Sequence, residues 1–216
     1  MPMPNYYHHT FEGGGIAIWH ITETADELYA LLATTKYDAQ LVDKKNEVRR
    51  AEWLAVRLLV KALFGPDSEV AYHPSGRPCL KDSATHISIS HTRGYAAVGY
   101  STDRPIGLDI ERIADRIERI ADRFTSPAEA EYIDNHEQQE RQLYHLINWS
   151  AKETLYKLLD SSSLAEFKEV FCIAPYTLAE CGAMDATVCD AEKTMLAVSY
   201  RIFPEFACTW AVSGEL

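Results

Sequence analysis

Three β-like runs follow one another in THISISHTRGYAAVGYSTDRPIGLDIE, which spans residues 85–111. The first two runs, 85–90 and 95–100, are joined by a turn that contains Gly94, a pattern that predicts a hairpin. The third run, IGLDI, begins after a second turn, Asp103-Arg104-Pro105. Because helical patterns stand on both sides of this stretch, the order of elements predicts an α+β fold built on antiparallel strands.

A strand and a long helix are predicted ahead of these runs. Residues 1–15 are polar and end in three glycines, so the first strand is expected over 15–22, where the sequence reads GIAIWHIT. From Asn46 to Phe64 the apolar residues recur at helical spacing, and Gly65-Pro66 supplies a stop signal. This helix carries several basic side chains: Arg49, Arg50, Arg57 and Lys61.

A second helical region and a β-rich tail follow the three runs. Ser126 and Glu129 fit a capping box with Pro127 at the first helical position, and residues 140–159 form another amphipathic pattern. The tail returns to β-like runs at 167–173, 186–189, 195–202 and 207–212. Both halves thus combine helices with antiparallel strands, and we predict two similar lobes, 1–104 and 105–216.

Composition limits the kinds of ligand and location. The 216 residues carry a formal net charge of -11, which argues against a general nucleic-acid binder and requires any phosphate site to be local. Neither a secretory leader pattern nor an apolar run of about 18 residues is present, so we expect a cytoplasmic protein without a membrane partner. None of the five cysteines forms a CxxC pair, and we expect reduced, mostly buried thiols.

The carboxylate pair in Ile106-Gly107-Leu108-Asp109-Ile110-Glu111 is the first candidate site. In a strand, Asp109 and Glu111 point to one face, while Leu108 and Ile110 point to the other, into a core. Adjacent like charges repel, so such a pair is either solvated or held by a divalent cation such as Mg²⁺. The motif alone leaves both explanations open.

The second candidate is the helix that contains WSAKETLYK, residues 149–157. Its aromatic and charged residues fall at spacings that place them on one helix face. Such a face can be an ordinary solvated surface with a Glu153–Lys157 pair, but Trp149 is a large anchor that favours contact with something other than water. The residues of this face are Trp149, Lys152, Glu153, Tyr156 and Lys157.

Two shorter motifs complete the candidate set. The strand end Ser88-Ile89-Ser90-His91-Thr92 can present hydroxyl and imidazole donors to a phosphate, although a single histidine is usually structural. The turn Gly76-Arg77-Pro78 is weak by itself.

Taken together, GRP (76–78), SISHT (88–92), IGLDIE (106–111) and WSAKETLYK (149–157) resemble the motifs of the 4′-phosphopantetheinyl transferase superfamily in order and approximate spacing. The chain is similar to the longer, two-lobed type represented by surfactin-synthetase activating enzymes and enterobactin-type transferases. This resemblance implies two lobes related by a pseudo-two-fold, with the active site in the cleft between them.

The resemblance also implies roles for individual residues. Asp109, Glu111 and Glu153 match three acidic ligands of Mg²⁺, for which Mn²⁺ is an alternative, and Lys157 matches a lysine that stabilises the pyrophosphate. Glu153, Lys157 and Asp109 are therefore the expected catalytic residues. Coenzyme A would be contacted by Lys157 and by the following residues: Lys152, His91, Ser90, Arg77 and Arg50. For the 3′-phosphate, Arg49 and Arg57 compete with Arg50.

The implied reaction is transfer of 4′-phosphopantetheine from coenzyme A to a serine of an apo acyl or peptidyl carrier protein, with release of 3′,5′-adenosine bisphosphate. Carrier proteins are usually acidic, so a chain of this charge would need a local docking patch. The segment 112–135 is one candidate, because four arginines lie there among apolar residues; an ordinary solvated helix is the alternative. These arginines are Arg112, Arg116, Arg119 and Arg123.

Two other functions use the same residues. A metal-dependent phosphohydrolase or nucleotidyl transferase would hydrolyse or transfer nucleotides without a carrier protein. A non-catalytic coenzyme A-binding protein would keep the fold, but it would have no need for an acidic cluster beside Lys157. The two-lobed length favours a monomer.

Overall fold

The computed structural model describes residues 6–42, 46–159, 167–189 and 192–214. The chain divides into two compact units, Met1–Asp103 and Arg104–Leu216. The predicted lobes divide after residue 104, one residue further along the chain. Among the described residues, none of the helices is both long enough and apolar enough to cross a membrane.

The N-terminal unit is a six-stranded antiparallel sheet with three helices. Its sheet order is β1-β2-β6-β5-β4-β3. The strands are β1 Tyr6–Phe11, β2 Gly14–His20, β3 Val70–Tyr72, β4 Pro78–Leu80, β5 His86–Thr92 and β6 Tyr95–Ser101, and the helices are α1 Ala25–Leu32, α2 Asp38–Val42 and α3 Glu47–Phe64.

Helix α3 confirms the predicted long helix and forms much of the core of this unit. The Asn46 side chain accepts a hydrogen bond from the Arg49 amide at its start, and Gly65 ends it with φ 105°, a conformation that favours glycine. Leu54 and Leu59 are fully buried in the same apolar cluster as Trp19 of β2. The apolar stripe of α3 therefore covers the sheet as its periodicity predicts.

The C-terminal unit is a five-stranded antiparallel sheet in the order β7-β11-β10-β9-β8. The strands are β7 Ile106–Arg112, β8 Phe171–Ile173, β9 Cys181–Val188, β10 Met195–Ile202 and β11 Phe206–Val212. The helices are α4 Pro127–Asp134, α5 Gln138–Leu159 and α6 Phe167–Val170, with a 3-10 helix at Glu118–Arg123. The capping box of Ser126 and Glu129 is present, with Pro127 at the first position of α4, as predicted.

The two units share one strand order once β1 is set aside. In each, a first strand is followed by helices and then by four strands, the last of which pairs with the first: β2-β6-β5-β4-β3 in one unit and β7-β11-β10-β9-β8 in the other. The predicted α+β fold of two antiparallel sheets packed with helices is confirmed.

Three expectations about local structure were wrong. Residues 6–11 were expected to be an irregular polar segment, but they form strand β1. Every residue of β1 pairs with β2. Residues 167–170 are helical, so only 171–173 of that predicted strand is extended, and β9 begins at Cys181 rather than at Ala186.

The expectation that most cysteines are buried was also wrong. All five thiols are free, and only Cys208 is buried. Cys79 and Cys172 are half-buried, whereas Cys181 and Cys189 are exposed.

Candidate functional site

Helix α5 packs directly on strand β7 because Gly107 has no side chain. A Cβ at this position would lie 2.1 Å from the Thr154 carbonyl oxygen and 2.9 Å from the Leu158 Cβ. Any side chain here would push the helix away from the strand. The glycine of IGLDIE therefore brings the charged residues of α5 close to those of β7.

Asp109 is the centre of the resulting polar cluster. It is 5% exposed and lies on β7, while its flanking residues Leu108 and Ile110 are buried as the strand pattern predicts. Its Oδ1 accepts a hydrogen bond from the Lys157 Nζ at 2.7 Å, and its Oδ2 accepts one from the Ser150 Oγ at 2.8 Å. Both carboxylate oxygens are thus held by side chains of α5.

A row of buried hydroxyl groups continues from Asp109 into the sheet. The Ser150 Oγ lies 2.9 Å from the Thr209 Oγ1, which lies 2.7 Å from the Thr154 Oγ1. Thr209 is the register partner of Asp109 on β11. Sequence reasoning missed these three hydroxyl residues. The signal was the i, i+4 spacing of Ser150 and Thr154, which places both on one face of α5.

Glu111 and Glu153 add two more carboxyl groups to this cluster. Burial, together with the negative charges of Asp109 and Glu111 and against the positive charge of Lys157, raises the pKa of Glu153 to about 7. Burial and the Asp109 charge likewise raise the pKa of Glu111, against the Arg116 charge, the Trp149 hydrogen bond and the Lys157 charge. Repulsion between these carboxylates therefore favours a proton or a cation among them.

The three carboxyl groups fit a hard divalent cation by their chemistry. Carboxylate oxygens are the donors that Mg²⁺ and Mn²⁺ prefer, and the mutual repulsion of these groups is what a bound cation would relieve. Within the part of the chain that the structure describes, however, no three His, Cys, Asp or Glu side chains converge as a metal-binding group. The Asp109 carboxylate forms an ion pair with the Lys157 ammonium.

Trp149 anchors the start of this helix face. Its ring is half-buried and packs on the core of the C-terminal unit, with its centroid 5.1 Å from that of Phe124. Its side chain also hydrogen-bonds to Glu111, which connects the anchor to the carboxylate cluster.

Lys152 does not join the other charged residues of its predicted helix face. Its side chain is fully buried, and its Nζ donates hydrogen bonds to the Glu129 Oε2 at 2.7 Å and to the Phe124 carbonyl oxygen at 2.6 Å. The same Glu129 carboxylate accepts the Ile173 amide at 2.7 Å. This position argues against the predicted contact between Lys152 and a coenzyme A phosphate, because the protein itself already uses the ammonium group.

In the N-terminal unit, His91 belongs to a small ionic cluster at the end of β5. Its Nδ1 lies 3.0 Å from the Arg49 Nη1 and 3.2 Å from the Glu52 Oε2. Glu52 is buried, whereas the His91 side chain is 39% exposed. Ser90, the other predicted ligand on this strand, is buried. Arg49, rather than Arg50, is the arginine that the structure places beside His91.

The remaining arginines differ in their surroundings. Arg50 lies 3.5 Å from Asp26 of α1, and Arg57 is buried over the Trp53 ring with a hydrogen bond to the Tyr72 hydroxyl. The Arg77 Nη2 is buried without a protein hydrogen-bond partner, as is the Nε of Arg50. A buried guanidinium nitrogen that no protein group satisfies is suited to an anionic ligand.

Within the candidate docking segment 112–135, Glu118–Arg123 form a 3-10 helix and Pro127–Asp134 form α4. Ile117 and Phe124 are buried on the core side, while the four arginines of the segment point to solvent. Arg112 pairs with Glu205 at 3.4 Å. The segment thus combines an apolar inner side with an outer side on which arginines alternate with acidic residues such as Asp115 and Asp122.

Residues 105–205 match the family model described as the 4′-phosphopantetheinyl transferase superfamily. The matched range contains β7, α5 and the whole carboxylate cluster with Lys157. Together with the α+β fold, this match supports the resemblance of the chain to the 4′-phosphopantetheinyl transferase superfamily.

The chain is also similar in sequence to individual proteins named as 4′-phosphopantetheinyl transferases. The chain is 31% identical over 128 residues to the 4′-phosphopantetheinyl transferase AcpT of Salmonella typhi, an alignment that covers 56% of this chain and 64% of the relative. It is 38% identical over 85 residues to the transferase ffp of Bacillus subtilis, covering 38% and 37%. It is 36% identical over 87 residues to Sfp of Bacillus subtilis strain 168, covering 38% and 37%. The chain thus spans less than two thirds of the length of each of these relatives.

Proposed function

We propose that this chain transfers the 4′-phosphopantetheine group from coenzyme A to a serine of an apo acyl or peptidyl carrier protein and releases 3′,5′-adenosine bisphosphate. The observation that carries the proposal is the cluster of Asp109, Glu111, Glu153 and Lys157 within the stretch matched by the family model. The same proposal includes a monomeric enzyme that acts in the cytoplasm.

Charge is the main obstacle to this reaction. The pyrophosphate of the donor is anionic, and negative charge develops on the oxygen that leaves with the nucleotide. Asp109, Glu111 and Glu153 would hold Mg²⁺ or Mn²⁺, which when bound neutralises part of the pyrophosphate charge. The Lys157 ammonium, 27% exposed beside Asp109, supplies a positive donor for the leaving oxygen.

Glu153 is suited to accept the proton of the attacking serine. Without a cation, burial together with the Asp109 charge raises the pKa of Glu153 to about 7; a cation held by the three carboxylates would lower this pKa and keep Glu153 ionised as a proton acceptor. We propose that this carboxylate takes the proton directly or through a water molecule. The nucleophile belongs to the carrier protein, so no serine of this chain reacts.

Residues of the N-terminal unit are proposed to bind the nucleotide portion of coenzyme A. The unsatisfied guanidinium nitrogen of Arg77 and the exposed imidazole of His91 support this assignment. For the 3′-phosphate, Arg50 retains an unsatisfied buried nitrogen, while Arg49 is the arginine adjacent to His91. Lys152 is not included among the proposed coenzyme A contacts, because its ammonium group is buried against Glu129.

The carrier protein is proposed to dock on the exposed arginines of segment 112–135. These arginines would offset the repulsion between two acidic proteins at short range. Replacing the exposed Arg119 and Arg123 by glutamine should raise the KM for the carrier protein and leave the KM for coenzyme A unchanged.

The test is a transfer assay read by intact mass. Purified protein, coenzyme A and Mg²⁺ are mixed with apo carriers of the fatty-acid, polyketide and peptide-synthetase kinds. We expect one carrier serine to gain one phosphopantetheine. Asp109→Ala and Glu153→Gln should abolish most of the gain, whereas Glu140→Gln, an exposed position on the same helix, should retain it.

Each alternative function has its own outcome in this assay. Breakdown of coenzyme A without any modified carrier would favour the phosphohydrolase. Coenzyme A binding without modification of any carrier class would favour the non-catalytic binding protein. Near-normal transfer by Glu153→Gln at saturating Mg²⁺ would refute both roles proposed for that residue.

A further inference from the structure

Two thiols meet in the C-terminal unit at a place that the proposed reaction does not use. The Cys172 Sγ and the Cys189 Sγ are 3.1 Å apart, although both cysteines are free. Formation of a disulfide would require the sulfur atoms to approach by only about 1 Å more. Of the five thiols, these are the two brought together by neighbouring parts of one sheet.

The backbone around the pair connects two strands. Cys172 lies in the middle of β8, and Cys189 follows the last residue of β9. The Cys189 amide donates a hydrogen bond to the Val170 carbonyl oxygen at 2.7 Å, which fixes the two chain segments side by side. The pair is therefore held by the sheet, while the Cys189 side chain, beyond the strand end, is exposed and can rotate.

The two thiols differ in environment. Cys189 is exposed, whereas Cys172 is half-buried and lines a cavity of about 130 Å³ together with Glu129 and Tyr176. Burial and the neighbouring Cys189 raise the pKa of Cys172 to about 11. Because the thiolate is the reactive form, the exposed thiol is suited to react first and the half-buried thiol to react second.

We propose that Cys172 and Cys189 form a reversible intramolecular disulfide by exchange with a low-molecular-weight disulfide. The sulfur–sulfur contact and the unequal exposure of the two thiols carry this inference. It is independent of the phosphopantetheine reaction, since the pair lies outside the carboxylate cluster.

The exchange proceeds in two balanced steps. The Cys189 thiolate attacks one sulfur of the small disulfide, forms a mixed disulfide and releases a small thiolate, which takes up a proton. The Cys172 thiol then loses its proton and attacks the Cys189 sulfur, forming the protein disulfide and releasing the second small thiol. The protein loses two hydrogen atoms, and the small disulfide is reduced to two thiols.

The new bond would close the chain between two cysteines that are 17 residues apart. A link of this length restricts the unfolded chain, so we expect the oxidised protein to show an apparent Tm about 5–10 °C higher than the reduced protein. The link also lies beside the Lys152–Glu129 pair, since both thiols contribute to the electrostatic surroundings of Lys152.

The test uses the whole chain, fully reduced and then incubated with increasing ratios of oxidised to reduced glutathione. Samples are quenched in acid, alkylated in denaturant and analysed by intact mass and peptide mapping. We expect two of the five thiols to disappear, a mass before alkylation about 2 Da below that of the reduced protein, two fewer alkyl groups after alkylation, and a cross-linked peptide joining Cys172 to Cys189. Dithiothreitol should reverse all of these changes.

Variants separate the pair from general thiol reactivity. Cys172→Ser should stop at a mixed disulfide on Cys189, while Cys181→Ser, which removes another exposed thiol of β9, should form the link as the wild type does. The proposal is overturned if all five thiols stay free at the most oxidising ratio, or if only mixed disulfides form. Links through Cys181, or an equal rise in Tm for Cys172→Ser, would overturn it as well.

Discussion

Glu129→Gln is the substitution that decides whether Lys152 is a structural residue. One oxygen of the Glu129 carboxylate accepts both the Lys152 ammonium and the Ser126 amide, each at 2.7 Å, and the other accepts the Ile173 amide at 2.7 Å. Glutamine keeps the shape but loses the charge, and it offers one oxygen instead of two. The buried ammonium of Lys152 would then lack its counter-ion.

The expected cost follows from this burial. Removing one partner of a buried ion pair costs about 3–5 kcal/mol, because the remaining charge is left in a poorly solvating interior. For a protein of this size the loss corresponds to a fall in Tm of roughly 6–20 °C. A second change, Lys152→Met, added to Glu129→Gln, should recover part of the loss, since it removes the uncompensated charge.

Urea unfolding followed by tryptophan fluorescence would measure these changes, with coenzyme A binding measured in parallel. Glu131→Gln is the matched control, because Glu131 is exposed on the same helix and its loss should cost less than about 0.5 kcal/mol. A Glu129→Gln protein as stable as this control, combined with weak coenzyme A binding by Lys152→Met, would refute the structural role. That result would return Lys152 to the phosphate contact predicted from the sequence.

Three further predictions concern the contact between β7 and α5. Gly107→Ala should lower the free energy of unfolding by about 1–3 kcal/mol or more in thermal unfolding, since its Cβ would lie 2.1 Å from the Thr154 carbonyl oxygen; unchanged stability would contradict the close packing. Ser150→Ala should cost about 1–3 kcal/mol in urea unfolding, because it removes a buried donor to Asp109. The Glu153 carboxyl has a pKa of about 7 in the folded protein and about 4.5 in the unfolded chain. Between these two values the unfolded chain is ionised while the folded protein still holds its proton, so the free energy of unfolding falls as pH rises from about 4.5 to 7. With a chelator present, the wild type should therefore lose up to about 3 kcal/mol more than Glu153→Gln over this range; parallel pH profiles would argue against the raised pKa.

Local patterns in the sequence predicted the main elements of the fold. Helix α3 follows from its apolar period, with Asn46 and Gly65 at its ends, and the start of α4 follows from its capping box. The shared face of Asp109 and Glu111 follows from the two-residue period of a strand. In each case the signal lies within a few neighbouring residues, where backbone geometry fixes the directions of the side chains.

Features that depend on distant partners could not be predicted in this way. Strand β1 has little apolar alternation of its own and forms because β2 pairs with it. The hydroxyl row joins Ser150 to Thr209 across 59 positions of the chain, and the thiol pair depends on how β8 meets the end of β9. A pattern of neighbouring residues cannot predict contacts between residues that are far apart in the sequence.

By itself, the sequence determined the α+β fold class and the shared face of Asp109 and Glu111, because strand and helix periods place side chains on defined faces. That Glu153 joins these two carboxylates was expected from the family resemblance. The tertiary structure decided which charge pairs with which. Lys152 and Lys157 are five positions apart on one helix, yet the first is buried against Glu129 and the second holds Asp109. Helical spacing gives the direction of a side chain, but only the packing of α4 and β7 against α5 determines what each lysine meets.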